Sequence, residues 1–134
     1  MSGDTVIGKT IQFTNDNKYF YGYTGSQAAT GTYTTFMEFQ TQSEYLIAKV
    51  QPIYFSSYTS NIVWDILFND LKVQSMEVTS ARDYTPFDEI HLIIPPFTNV
   101  KIKVDNLSGG TEQAGVSITG KVGMAQRVGN LDDQ

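Results

Sequence analysis

The chain reads as all-β: an antiparallel two-sheet sandwich, jelly-roll-like, of eight or nine short strands with polar terminal arms. Three observations predict this. Short runs alternate apolar and polar residues with period two, as half-buried strands do. Breaks built from Gly, Pro, Asn, Asp and Ser separate them at the close spacing of an all-β domain. Charged residues make up only 17% of the sequence, so Thr, Ser, Asn and Gln must supply the polar surface; together with the aromatics and eleven Gly this is a β-protein composition. Edges are a hazard in such folds, and double-sheet jelly rolls manage them with short, protected strands.

The elements follow in order. "TVIGKTIQFTN" (5–15) alternates at Ile11 and Phe13, with Gly8 as a candidate bulge. "KYFYGY" (18–23) is aromatic and β-prone. Residues 22–35 read as a long surface loop or hairpin, eleven of the fourteen being Gly, Thr, Ser or Ala. "TYTTFMEFQT" (32–41) is the next strand. "EYLIAKVQPIYFSS" (44–57) places Leu46, Ala48 and Val50 on one face, and Pro52 implies an edge or a bend. A short helix over 43–50 is the competing reading there.

"NIVWDILF" (61–68) sets Ile62, Trp64, Ile66 and Phe68 on one face, with Val63, Asp65 and Leu67 on the other. Asn69-Asp70 then joins it to "LKVQSMEV" (71–78) as a tight hairpin. Residues 79–89 form a loop. "IHLII" (90–94) ends at Pro95-Pro96, which offer no ladder donors and carry the chain round a stiff corner. Phe97 is expected to plug that corner from beneath, the alternative being an exposed anchor. "NVKIKV" (99–104) turns Val100, Ile102 and Val104 inward and Asn99, Lys101 and Lys103 outward. Residues 106–115 form a turn, and "VSITGKV" (116–122) is the last strand. The whole of 1–134 is one domain, with an N-terminal arm at 1–8 and a C-terminal tail at 123–134.

The bulk numbers exclude several classes of function. There is no cysteine, hence no disulfide framework, thiolate site or cysteine nucleophile. A net charge of −5 with scattered Lys and Arg argues against nucleic acid as a partner. No apolar run reaches the length of a membrane span, and residues 1–5 are polar, unlike a signal peptide.

No catalytic constellation emerges. His91 is the sole histidine and lies out of phase with Ile90 and Leu92, so it reads as a structural strand histidine. Asp83, Asp88 and Glu89 gather on one loop but match no calcium or glycosidase pattern, and a solvated acidic loop is the simpler reading. Asn106-Leu107-Ser108 fits a glycosylation sequon, a triplet that also arises by chance. Trp64 is in phase with the core. The tyrosines near 19–33 divide between core and interface. No catalytic, cofactor or metal residue is named; the candidate interface residues are Tyr21, Tyr23, Tyr33, Phe97 and Arg127.

The C-terminal half carries a resemblance. "WDILFNDLKVQSMEV", a loop, "IHLIIPPFTNVKIKVDN", a polar turn and "VSITGKV" come in an order similar to small structural proteins of tailed-phage virions, over about residues 61–122. The resemblance implies a jelly-roll-like capsid decoration or cement protein, or another head or tail accessory, with no enzymatic activity. Its partners would be the major capsid protein and neighbouring copies of itself, as a dimer or trimer, on the outer surface of the capsid. The acidic charge fits a particle's outside better than its DNA-facing inside. The rival expectations are a carbohydrate-binding or host-adhesion module using Tyr21, Tyr23 and Tyr33, and a small glycosidase using Asp83, Asp88 or Glu89.

Overall fold

The computed structural model describes residues 11–30, 33–54, 62–78, 89–107 and 112–124. Among them are ten strands and no helix: β1 (Gln12–Phe13), β2 (Tyr19–Tyr23), β3 (Gln27–Ala29), β4 (Thr34–Gln40), β5 (Glu44–Tyr54), β6 (Ile62–Phe68), β7 (Leu71–Val78), β8 (Ile90–Ile94), β9 (Asn99–Asn106) and β10 (Glu112–Met124). A six-stranded sheet runs β1-β2-β10-β5-β8, with β3 beside β10 beyond the end of β2. A four-stranded sheet runs β4-β9-β6-β7. Every pairing is antiparallel, and the arrangement is a jelly-roll-like sandwich.

The period-two pattern decides what fills the space between the sheets. Phe20, Leu46, Ala48, Val50, Ile90, Ile94, Val116 and Ile118 enter from the six-stranded sheet. Phe36, Met37, Phe39, Ile62, Trp64, Ile66, Val100, Ile102 and Val104 enter from the other. Each fully buried side chain of this size contributes on the order of 2 kcal/mol from the area it removes from water. Trp64 adds a polar link, its Nε1–H donating to the Gly115 carbonyl across the sandwich at 3.0 Å. Asn106 adds another, donating from Nδ2 to the Ala29 carbonyl at 2.7 Å. Asn106 is buried. The sequon there is a chance triplet, its amide being spent inside the fold.

Several breaks in the pattern have local causes. A register shift between Thr35 and Met37 is a bulge, which lets the consecutive Phe36 and Met37 both turn inward. Asn69 and Asp70 have φ of 52° and 68°, the two positive values that a two-residue hairpin turn of the observed hand requires. Pro52 lies in β5 beyond Val50, where β8 stops pairing. Its partner across β10 is Val116, whose N–H and C=O are both spent on Thr24. Pro52 therefore sits in a non-hydrogen-bonded pair, its absent N–H directed away from β10. The competing helix over 43–50 does not form, since Glu44 already starts β5.

The corner after β8 moves the chain from the six-stranded sheet to the four-stranded one. Thr41, between β4 and β5, latches it. Thr41 Oγ1 donates to the Pro95 carbonyl at 2.7 Å and accepts from Thr98 N–H at 2.8 Å, while Thr41 N–H donates to the Thr98 carbonyl at 2.9 Å. Phe97 is no plug: it is 66% exposed. Its N–H donates to the Gln42 carbonyl at 2.8 Å with φ at 55°, and in that left-handed backbone the ring stands outside the core.

Other boundaries differ from the sequence reading. The stretch 22–35 is not one loop, because Gln27–Ala29 pairs with Glu112–Ala114. That same pairing starts the last strand at Glu112, inside the expected turn, and β10 runs on to Met124, into the expected tail. Strand β9 extends to Asn106. The arm at 1–8, the loop residues Asp83 and Asp88, and Arg127 lie outside the described residues.

Candidate functional site

The strand registers place outward side chains on the six-stranded sheet in rows. One row is Gln12, Tyr21, Thr119, Lys49 and His91. A second is Tyr19, Lys121, Ile47 and Ile93, and a third is Tyr23, Ser117 and Gln51. Rows are about 7 Å apart along the strands and columns about 4.8 Å apart across them. Tyr19, Tyr21 and Tyr23 thus form one straight stripe along β2.

The three tyrosines are 50%, 52% and 51% exposed. Between them Phe20 points into the core, and Gly22 faces inward against Met37, Ile11 and Ile118. Gly22 is covered by Met37 from the opposite sheet, so the stripe has a firm base. Phe13 stands beside Phe20 at the β1 edge, ring centroids 6.4 Å apart, and is itself exposed. The turn linking β1 to β2 is closed by Asp16, whose Oδ1 accepts from Thr14 Oγ1 at 2.7 Å and from Lys18 N–H at 3.1 Å. The Thr14 hydroxyl, followed by the Lys18 amide, holds that carboxyl below its ordinary pKa.

Across the same sheet, Ile47 and Ile93 are exposed neighbours on β5 and β8. With Lys49, His91, Leu92 and Lys121 they line a shallow depression of about 480 Å³. Gly120 lets β10 and β5 approach here, since a methyl at that position would run into the Ile47 carbonyl oxygen. The alternation in "YLIAKV" puts Ile47 and Lys49 opposite the core residues, a signal that was available in the sequence. Their meeting with His91 and Ile93 depends on the β5–β8 pairing.

The outer face of the four-stranded sheet has a different chemistry. Asp65, only 4% exposed, pairs with Ser75 on one side and Lys103 on the other. Its Oδ2 accepts from Tyr33 O–H at 2.6 Å, its Oδ1 accepts from Ser75 Oγ at 2.7 Å, and Lys72 Nζ lies 3.3 Å from Oδ2. Lys103 Nζ sits 4.2 Å from the centre of the Tyr33 ring, a cation–π contact. Lys103 is buried rather than solvated. Both oxygens of the carboxylate are taken, so this cluster is a clamp between strands and not a free acid. Lys101 reaches Asp70 at 2.9 Å.

Of the five residues singled out from sequence, Arg127 lies outside the described residues and the other four part company. Tyr21 and Tyr23 share the β2 stripe, which Tyr19 completes. Tyr33 belongs to the Asp65 clamp on the other sheet. Phe97 stands alone at the diproline corner. His91 is exposed, with Nε2 3.7 Å from Glu89 Oε1. The buried Asp65 was legible only as an outward residue, because its contact with Tyr33 comes from the residue just before β4, 32 positions away in the chain.

No protein-family model and no curated protein matches this chain. The solved structures that are similar in shape include the following two. One is a family 35 carbohydrate binding module from an environmental isolate, at a TM-score of 0.40 and 12% identity, covering 96% of this chain and 92% of that one. The other is the VP2 subviral particle of infectious bursal disease virus, at a TM-score of 0.32 and 14% identity, covering 83% of this chain and 32% of that one. The chain thus spans about a third of the VP2 chain.

Proposed function

We propose that this is a non-enzymatic structural protein of a phage virion, a decoration or cement protein that docks on the major capsid protein and on neighbouring copies through the outer face of its six-stranded sheet. One observation carries the docking face. Tyr19, Tyr21 and Tyr23 are half exposed in a single stripe, with Ile47 and Ile93 on the same side of the molecule. The opposite outer face instead holds an internally neutralised set of charges. Tyr supplies much contact area with few rotamers to immobilise, and contiguous apolar surface on a small protein marks an interaction site. The virion setting is supported by the sequence resemblance over 61–122 and by the acidic net charge. Contacts repeated over many subunits make a modest single site sufficient.

Co-sedimentation of the purified protein with shells lacking it tests this reading, with light scattering for its size in solution. Saturable coating supports it; a chain that leaves every shell bare overturns it. A second reading rests on the same stripe. The flat tyrosine row flanked by Gln12, Ser117 and Thr119 suits the face of a sugar ring. Glycan binding lost on substituting these tyrosines, with no shell binding, favours that module instead.

A further inference from the structure

Strand β7 is the exposed edge of the four-stranded sheet, pairing with β6 alone among the described residues. The other edge strands are shorter or carry buried side chains. β1 has two residues, β3 has three, β8 has five before the diproline, and β4 is buried from Thr34 to Met37. Between Leu71 and Glu77 every side chain but Met76 is exposed, and neither proline nor glycine interrupts the strand. Such an edge offers a row of backbone donors and acceptors to another strand. The ladder tells which ones. Asn99 spends its N–H on Asn69 Oδ1 and its C=O on Asn69 N–H, so the odd residues of β9 bond to β6. By alternation the even residues of β6 bond to β7, Trp64 to Met76 and Ile66 to Gln74. Ser75 and Glu77 therefore turn their N–H and C=O to the free edge.

We propose that β7 pairs antiparallel with β7 of a second copy about a two-fold axis at Ser75, joining two four-stranded sheets into one of eight strands. The charges on the strand select this partner and this register. Lys72, Ser75 and Glu77 lie opposite Leu67, Asp65 and Val63, which are evenly spaced on β6. The bulge between Ile66 and Leu67 absorbs the extra residue of β7 and puts Lys72 on the same face as Ser75 and Glu77. Lys72 and Glu77 are thus equidistant from Ser75 along the ladder, one on each side. A two-fold axis at Ser75 keeps each face of the sheet on its own side and sets Lys72 of each copy directly against Glu77 of the other. Glu77 is exposed and in no ion pair among the described residues. Lys72 is half exposed and keeps donors to spare beyond its contact with Asp65. At the axis each Ser75 N–H donates to the other copy's Ser75 carbonyl. An axis at Gln74 or Met76 breaks both ion pairs, and one at Lys72 or Glu77 sets like charges together. The contact lies on the sheet away from the tyrosine stripe, forms without a shell, and does not rest on the docking reading.

The test uses the full chain without shells. Few residues meet, so sedimentation should show a dimer with a Kd on the order of 10–100 µM. Glu77→Lys sets like charges together and should weaken it at least about tenfold. Glu77→Pro removes an N–H that only the second copy uses and should abolish it, since an edge strand tolerates proline. Amide NMR spectra report that each variant is folded, and Glu77→Gln is the milder substitution. The chain has no native cysteine. Ser75→Cys places two thiols across the axis with Cα atoms about 5.5 Å apart, within disulfide reach. Mild oxidation should link two copies there, and not in Gln40→Cys on the far edge of the same sheet. A chain that stays monomeric up to about 1 mM overturns the proposal, whatever covers the edge in its place. So does a dimer that Glu77→Lys and Glu77→Pro leave unchanged, which would put self-association elsewhere. Shells left bare by an intact β7 dimer count against the docking reading alone.

Discussion

Thr41 and Pro95 are joined by a 2.7 Å hydrogen bond from the threonine hydroxyl to the proline carbonyl. The same hydroxyl accepts from the buried Thr98 amide. One side chain thus satisfies both ends of the corner at which the chain changes sheet. Thr41→Val keeps the shape and removes both bonds. It is expected to cost about 2 kcal/mol, since the buried Thr98 amide and the part-buried Pro95 carbonyl both lose their partner. Chemical denaturation should show a lower midpoint with an unchanged slope.

The two prolines fixed the end of β8 and the change of direction in the sequence, but not the fate of Phe97. Its exposure follows from a long-range bond, Phe97 N–H to Gln42, that no local pattern encodes. The same holds elsewhere. Strands with clean alternation, such as β6 and β9, were legible because one face of each meets a continuous core, and β7 because the Asn69-Asp70 turn pairs it with β6. Strand β3 was not, because three residues of Ala and Gln become a strand only by lying along β10. The tyrosine stripe was half legible: Tyr21 and Tyr23 are in phase, whereas assigning Tyr33 to the same surface ignored the sheet change between β2 and β4.

Asp65 is the most heavily used carboxylate among the described residues. Asp65→Ala strips Tyr33 and Ser75 of their acceptor and Lys72 of its ion-pair partner. A loss of about 3 kcal/mol is expected. Ser75→Ala removes only one donor at an exposed position and should cost under about 1 kcal/mol. Thermal unfolding of the two variants side by side checks the ratio.

Thr35 Oγ1 is buried with no hydrogen-bond partner among the described residues. A methyl in its place sheds an unsatisfied hydroxyl at nearly constant volume. Thr35→Val should therefore raise stability by about 1 kcal/mol, read as a higher denaturation midpoint.

Gly120→Ala tests the close approach of β10 to β5. The added methyl meets the Ile47 backbone, which cannot swing aside as a side chain can. A destabilisation of about 2 kcal/mol is expected from the forced backbone shift. Amide exchange should quicken along Ala48 and Lys121, and stay unchanged in the four-stranded sheet.

The docking face is tested most directly by shell binding of the triple variant Tyr19→Thr, Tyr21→Thr and Tyr23→Thr, beside Gln40→Lys on the other sheet. Threonine preserves strand preference, so the fold should survive. Burying the exposed halves of three tyrosines removes on the order of 300 Å² from water, enough for these residues to dominate a site. Co-sedimentation should show the triple variant at least about 100-fold weaker on shells, with Gln40→Lys close to the unaltered chain. Equal coating by the triple variant and the unaltered chain would contradict the assignment of this face.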